Sequence, residues 1–326
     1  MAVIIDSKAA SAAPAAPPPW WRRWPTNRVQ RILAWLAVIT NGGIAVTGAT
    51  VRVTGSGLGC ITWPQCQPGS LAPVSRSGLA AFHQAIEFAN RTLTGAVLVP
   101  SLGIFLALLL APAGRRRLTV IAAVLPFGVL VQAVWGGITV YTGLAWWTVA
   151  PHLLLSLALL FVAIVVLVRV RESDAPAVPT VARPLQLLTW ATVGVLVLLC
   201  MAGTLVTAAG PHSGDANTPR LDVSVEKLAQ LHADLMFLYF GLLIAMTVGF
   251  LAVHAPRRLM RRAILLLVVT AAQGLIGLVQ YATGVPEALV VSHVLGAVML
   301  TATAASVALA TRTRPPTASP SALPAH

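Results

Sequence analysis

The chain has 326 residues, with 22 Lys or Arg against 9 Asp or Glu, a net charge of +13. Hydrophobic residues make up 57% and charged residues 10%, where a soluble domain carries about 25% charged residues; mean hydropathy is +0.83. This excludes an ordinary soluble enzyme, a disordered chain and a fibrous repeat. Because the basic residues fall in short clusters between apolar runs, without forming one accessible face, nucleic acid is excluded as a partner too.

The first 27 residues, rich in Ala and Pro, read as a flexible tail lacking the apolar core and cleavage site of a signal peptide. A membrane helix needs about 20 apolar residues. Such runs follow at 31–50, 81–111, 118–141, 148–169, 185–208, 228–252, 262–282 and 288–311. In lipid the backbone must satisfy its own hydrogen bonds, so each run is helical. The expected fold is therefore an all-α integral membrane protein with eight transmembrane helices. A linker at 173–183 separates an N-terminal bundle (28–172) from a C-terminal one (184–312), and a second tail covers 313–326.

Orientation follows from the basic residues. With an even number of spans and the N-terminus in the cytoplasm, Lys8, Arg22, Arg23, Arg28, Arg31, Arg115, Arg116, Arg117, Arg169, Arg171, Arg183, Arg257, Arg258, Arg261, Arg262, Arg312 and Arg314 all fall inside. Outer loops keep only Arg52, Arg76, Arg220 and Lys227, and Arg91 lies within the second span. That is the positive-inside pattern, with both termini cytoplasmic.

The two halves repeat. Gln132, Gly136, Thr142, Gly143 and His152 match Gln273, Gly277, Thr283, Gly284 and His293 at one offset of 141 residues. Gly43, Val46 and Thr47 recur at an offset of 160 as Gly203, Val206 and Thr207. Two four-helix halves with the same orientation are expected, since parallel repeats occur in membrane proteins.

Seven histidines divide by position. His254 at a helix end, the C-terminal His326 and the loop residue His212 read as solvated. His83, His152, His232 and His293 each stand near the start of an even-numbered span, at a similar expected depth. Ionisable groups inside spans are costly and mark function. Two imidazoles on facing helices can hold one haem iron from opposite sides, which gives one site per half. A closed zinc site wants four ligands and fits less well; hydrogen-bonded packing is the structural alternative.

Glu87 and Asp234 are the acidic residues well inside spans. Glu87 lies one turn below His83 and one turn above Arg91. It is read either as the charge partner of Arg91 or as a carboxylate that handles protons beside a ligand. Asp234 is explained by its place in a first turn. Cys60 and Cys66 share the first outer loop, where the compartment permits a disulfide, and Cys200 reads as a buried small hydrophobe.

Together the loop string VRVTGSGLGCITWPQC (51–66), EFANR (87–91) and the even-span histidines resemble the haem A synthase family, over about residues 28–312. The resemblance implies a pseudo-twofold pair of four-helix bundles and oxidation of haem O to haem A in a bacterial inner membrane. The methyl at ring carbon 8 becomes a formyl group through successive hydroxylations with dioxygen and external electrons. It further implies a haem b on His232 and His293, and the haem substrate with His152 and Glu87 in the N-terminal half. The cysteine pair maps to Cys60 and Cys66. The family pattern Glu-x-x-His-Arg reads here Glu87-Phe88-Ala89-Asn90-Arg91. Asn90 stands where a haem-facing His is expected, so either His83 takes over as ligand or that side of the iron is open. Arg52, Arg76 and Arg220 are candidates for haem propionates, since guanidinium pairs bidentately with carboxylate. Implied partners are lipid, the enzyme that makes haem O, and an electron donor. The rival readings are a non-enzymatic diheme b-type cytochrome exchanging electrons with quinone, a thiol–disulfide oxidoreductase centred on Cys60 and Cys66, and a transporter.

Overall fold

The computed structural model describes residues 27–74, 81–111, 115–173 and 175–314. Both expected tails lie almost wholly outside these residues. Among them are eight long helices: α1 (Asn27–Val53), α2 (Ala81–Leu109), α3 (Arg116–Tyr141), α4 (Trp146–Arg169), α5 (Arg183–Ala209), α6 (Val225–Ala252), α7 (Arg257–Ala282) and α8 (Glu287–Ala310). Each is long and apolar enough to cross a membrane. Most run somewhat past their apolar stretch, because helical hydrogen bonding continues through the polar residues at the ends. Two short strands, β1 (Val178–Pro179) and β2 (Arg312–Thr313), pair antiparallel and clip the α4–α5 linker to the end of α8.

α1 packs on α2, α2 on α3, α3 on α4 and α4 back on α1. α5 to α8 close a second ring in the same order. The rings meet through α1 with α8, α4 with α8, and α4 with α5. Exchanging α1 with α5 and α4 with α8 turns the first contact into the third and leaves the second unchanged, as a pseudo-twofold axis requires.

Burial repeats in register. Leu118, Ala122 and Leu125 are buried, as are Leu259, Ala263 and Leu266 at the offset of 141. Val97, Ser101, Ile104 and Leu108 of α2 match buried Tyr239, Leu243, Met246 and Phe250 of α6 at an offset of 142. The repeated polar residues also perform the same task twice. Gln132 Nε2 donates to the His152 carbonyl at 2.9 Å, and Gln273 Nε2 to that of His293 at 2.7 Å. Thr142 and Thr283 bond back to the carbonyls of Ile138 and Val279. Gly143 and Gly284 follow with φ of +63° and +78°, the left-handed turn glycine permits after a helix.

The apolar core of the first half, with Ala34, Ile104, Leu108, Leu118 and Val166, sits toward the N-terminal end of α1. Polar and titratable side chains concentrate at the opposite end, beneath the Cys60–Cys66 loop. Replacing either Gln132 or Gln273 by Leu is expected to destabilise the protein by about 1 kcal/mol. The two losses are expected to add, since the sites share no partner; thermal unfolding in detergent measures both.

Candidate functional site

The α1–α2 loop is held by buried charge. Cys60 and Cys66 form a disulfide, and both are buried. Glu87 Oε2 accepts from the Cys60 N–H at 2.6 Å. Arg91 donates to Glu87 Oε1 and to the carbonyls of Cys60 and Thr62, at 2.8 and 2.7 Å. Glu87 is 5% exposed. The loop also approaches α2 through its backbone: a Cβ on Gly59 would lie 2.4 Å from the His83 carbonyl. Trp63 lies against Gly137 of α3, and Tyr141 donates to its carbonyl.

Beneath this loop is a cavity of about 440 Å³, within the range of small-molecule sites. Its wall includes Glu87, Asn90, Arg91 and His152, with Trp63 from the loop. The ion pair and the cavity carboxylate, alternatives in the sequence, are therefore one and the same group. The second half contributes to the wall as well, through Thr204 and Thr207 of α5 and Val294 of α8.

Three of the four even-span histidines are seated alike. A Cβ added to Gly136 would lie 3.5 Å from His152 Cε1. Gly203 and Gly277 would each lie 3.0 Å from the Cε1 of His232 and His293. Each ring thus occupies a glycine notch on the preceding helix. His232 Nδ1 bonds the Leu199 carbonyl at 3.1 Å. The His232 and His293 rings have centroids 6.3 Å apart and planes at 65°. Two imidazoles each bonded at roughly 2 Å to one metal stand about this far apart, so the separation of the pair is compatible with a metal held between them. The Nδ1 atoms of His152 and His293 are buried without a hydrogen-bond partner among the described residues.

His83 departs from the expected common depth. Its Nδ1 bonds Ser56 Oγ at 2.9 Å, and it is not on the cavity wall. The register of α2 against α6 explains this: Asn90, not His83, corresponds to His232. His212 is also not a solvated loop residue. Its ring bonds the Val285 carbonyl at 2.8 Å, and its own carbonyl accepts from Arg52. The α5–α6 loop thereby folds over the other half's cavity, with the Gly214 carbonyl accepting from Gly57 N–H at 2.9 Å. No spacing in the sequence marks this contact, which depends on the docking of the two halves. Of the three candidate propionate partners, Arg52 is on the cavity wall, Arg220 bonds the carbonyls of Gly210 and Pro211, and Arg76 lies outside the described residues.

A duplicated bundle of eight helices long and apolar enough to cross a membrane, with three histidines seated in glycine notches and one of them, His152, on a cavity under a disulfide loop, defines the class of protein. The chain belongs to the cytochrome oxidase assembly protein family COX15-CtaA, the haem A synthase family, whose model matches residues 31–214. That range includes the loop, Glu87, Asn90, Arg91 and His152, and stops short of His232 and His293. No curated protein matches the chain. Membership carries a role in cytochrome oxidase assembly through haem A synthesis.

Because Arg91 holds three loop carbonyls, Arg91→Ala is expected to free the loop. Thiol labelling after mild reduction is expected to modify Cys60 and Cys66 faster than in the native protein. Gly59→Val is expected to act alike, through collision with the His83 backbone.

Proposed function

We propose that the chain oxidises the C8 methyl of haem O to a formyl group by successive dioxygen-dependent hydroxylations, with a haem b in the C-terminal half relaying electrons. One observation carries this reading: His152 and Glu87 lie on one cavity wall with Asn90 and Arg91, and residues next in sequence to Gly203 and His293 line that wall too. Thr204 adjoins Gly203, against which His232 packs, and Val294 follows His293. A group held by His232 and His293 would adjoin that wall through Thr204 and Val294, the placement an electron relay would need.

Converting a methyl to a formyl group in this way takes two dioxygens, four electrons and four protons, and yields three waters. Haem b, when bound, supplies one-electron transfer. His152, seated on Gly136 and tethered through its carbonyl by Gln132, holds the substrate iron at a fixed depth. Glu87 has one oxygen on Arg91 and one on the Cys60 N–H, so its carboxylate keeps its position while protons move at the cavity wall. Arg52 faces the substrate's propionates. Arg91 and Trp63 of the disulfide loop form part of the cavity wall, where they limit the access of water to the site.

The basic-residue pattern supports a bacterial inner-membrane location with both termini cytoplasmic and the disulfide loop outside. Under that orientation the N-terminal bundle (28–172) is the substrate half and the C-terminal bundle (184–312) the haem b half. The electron donor and the enzyme supplying haem O act from outside the chain. Against a two-centre electron carrier stands Asn90: a second bis-histidine site would want a second His on the cavity wall, and His152 is the single histidine there.

Glu87→Gln keeps an acceptor for the Cys60 N–H and removes the proton-carrying charge. It is expected to leave haem content and the disulfide intact while slowing haem A formation by about a hundredfold or more. Undiminished haem A yield from this variant would remove Glu87 from the reaction. Extraction of haems from the native protein is expected to give haem b together with haem O or its oxidised products. Haem b alone would favour the electron carrier, and no haem at all would sink both readings.

A further inference from the structure

The fourth glycine of the set receives no histidine ring. Gly203, Gly136 and Gly277 each receive a histidine ring from the next helix. Gly43 is the counterpart of Gly203 at the offset of 160, and a Cβ built there meets nothing within 4 Å. The residue that should fill it stands on α2 in the register of His232. The buried pairs Val97 with Tyr239, Ser101 with Leu243, Ile104 with Met246 and Leu108 with Phe250 fix that register at 142, and it selects Asn90.

Asn90 is too short to reach a metal held by His152 in the way His232 pairs with His293. It does lie on the cavity wall, and its orientation is set. Thr47 Oγ donates to Asn90 Oδ1 at 2.7 Å, which commits the amide oxygen to α1. The amide nitrogen, a donor of two hydrogen bonds, has no protein partner among the described residues. His83 offers no substitute, being seven residues nearer the helix start and bonded to Ser56.

We infer that the N-terminal half holds its haem through His152 alone, and that the opposite face is open to a small diatomic or anionic ligand, with Asn90 Nδ2 as hydrogen-bond donor. The inference rests on the reading of the cavity as a haem site and adds its coordination. The two halves are then chemically unlike: a closed bis-histidine centre suited to electron transfer, and a one-histidine centre with a polar open side. Within the duplicated frame, the ligand sets of the two halves part at Asn90 and His232.

The test uses the purified full-length protein titrated with ferric haem b as a surrogate for the substrate. The loaded protein is then reduced with dithionite and exposed to carbon monoxide. Expected are one low-spin haem inert to carbon monoxide and one high-spin haem that binds it. Asn90→His is expected to convert the second haem to low spin and abolish its carbon monoxide band, leaving the first unchanged. Asn90→Leu is expected to retain the high-spin spectrum and weaken azide binding to the ferric second haem by about tenfold or more, the loss of one hydrogen bond to a charged ligand. His83→Ala is expected to change neither spectrum. Two low-spin haems inert to carbon monoxide in the native protein would overturn the inference, and carbon monoxide binding gained only in His83→Ala would transfer the ligand role to His83. Failure of any second haem to bind would overturn the cavity reading itself, a result distinct from either.

Discussion

A carboxylate among apolar helices is costly unless its charge is met, and Glu87 is met twice, by Arg91 and by the Cys60 N–H. The same ion pair does more than neutralise itself. Arg91 spends its remaining donors on loop carbonyls, so the disulfide loop, the start of α2 and the mouth of the cavity are held by one charged cluster. Trp63 reaches α3 and Gly57 reaches the α5–α6 loop from that fixed base. Removing Arg91 would leave the Glu87 charge buried without its ion partner, whereas Arg91 without Glu87 keeps its loop carbonyls, so the pair is structural and sits on the cavity wall at once.

The duplicated frame supplies the second constraint. Four-helix rings of apolar residues pack equally well with many side chains, but a polar group in each ring needs a fixed partner. Gln132 and Gln273 solve this identically, each bonding the carbonyl of the histidine residue on the next helix. The glycine notches solve it for the rings, since any Cβ at Gly203 or Gly277 would crowd the imidazole. What differs between the halves is correspondingly easy to see. Where the second half closes with His232, the first has Asn90 and a cavity. The cavity wall draws on both halves, with Thr204 and Thr207 of α5 and Val294 of α8 among its residues.

Much of the fold was legible because lipid leaves few alternatives. Apolar length gave the eight helices to within about a turn, and the Gln, Thr-Gly and His matches gave the duplication. The depth of His83 was not legible. Its position near the start of an even span resembles that of the other three histidines, but spans begin at different heights, and the register of α2 against α6 shows only in the burial of Val97, Ser101, Ile104 and Leu108. The part played by His212 was hidden for a similar reason. A histidine in a polar loop has no periodicity to betray it, and its partners, the Val285 carbonyl and Arg52, come from helices far away in sequence.

By itself the sequence determined the solvent, the helix count, the repeat and the set of residues able to do chemistry, because each depends on composition or on spacing along one helix. The tertiary structure decided which of those residues meet. It joined Glu87 to the cysteine loop, brought the His232 ring to 6.3 Å from that of His293, set His152 on a cavity with Asn90, and left His83 off that wall, bonded to Ser56. Those outcomes depend on the relative heights and rotations of packed helices. They are fixed by side-chain interlocking across the rings, and no single stretch of sequence encodes them.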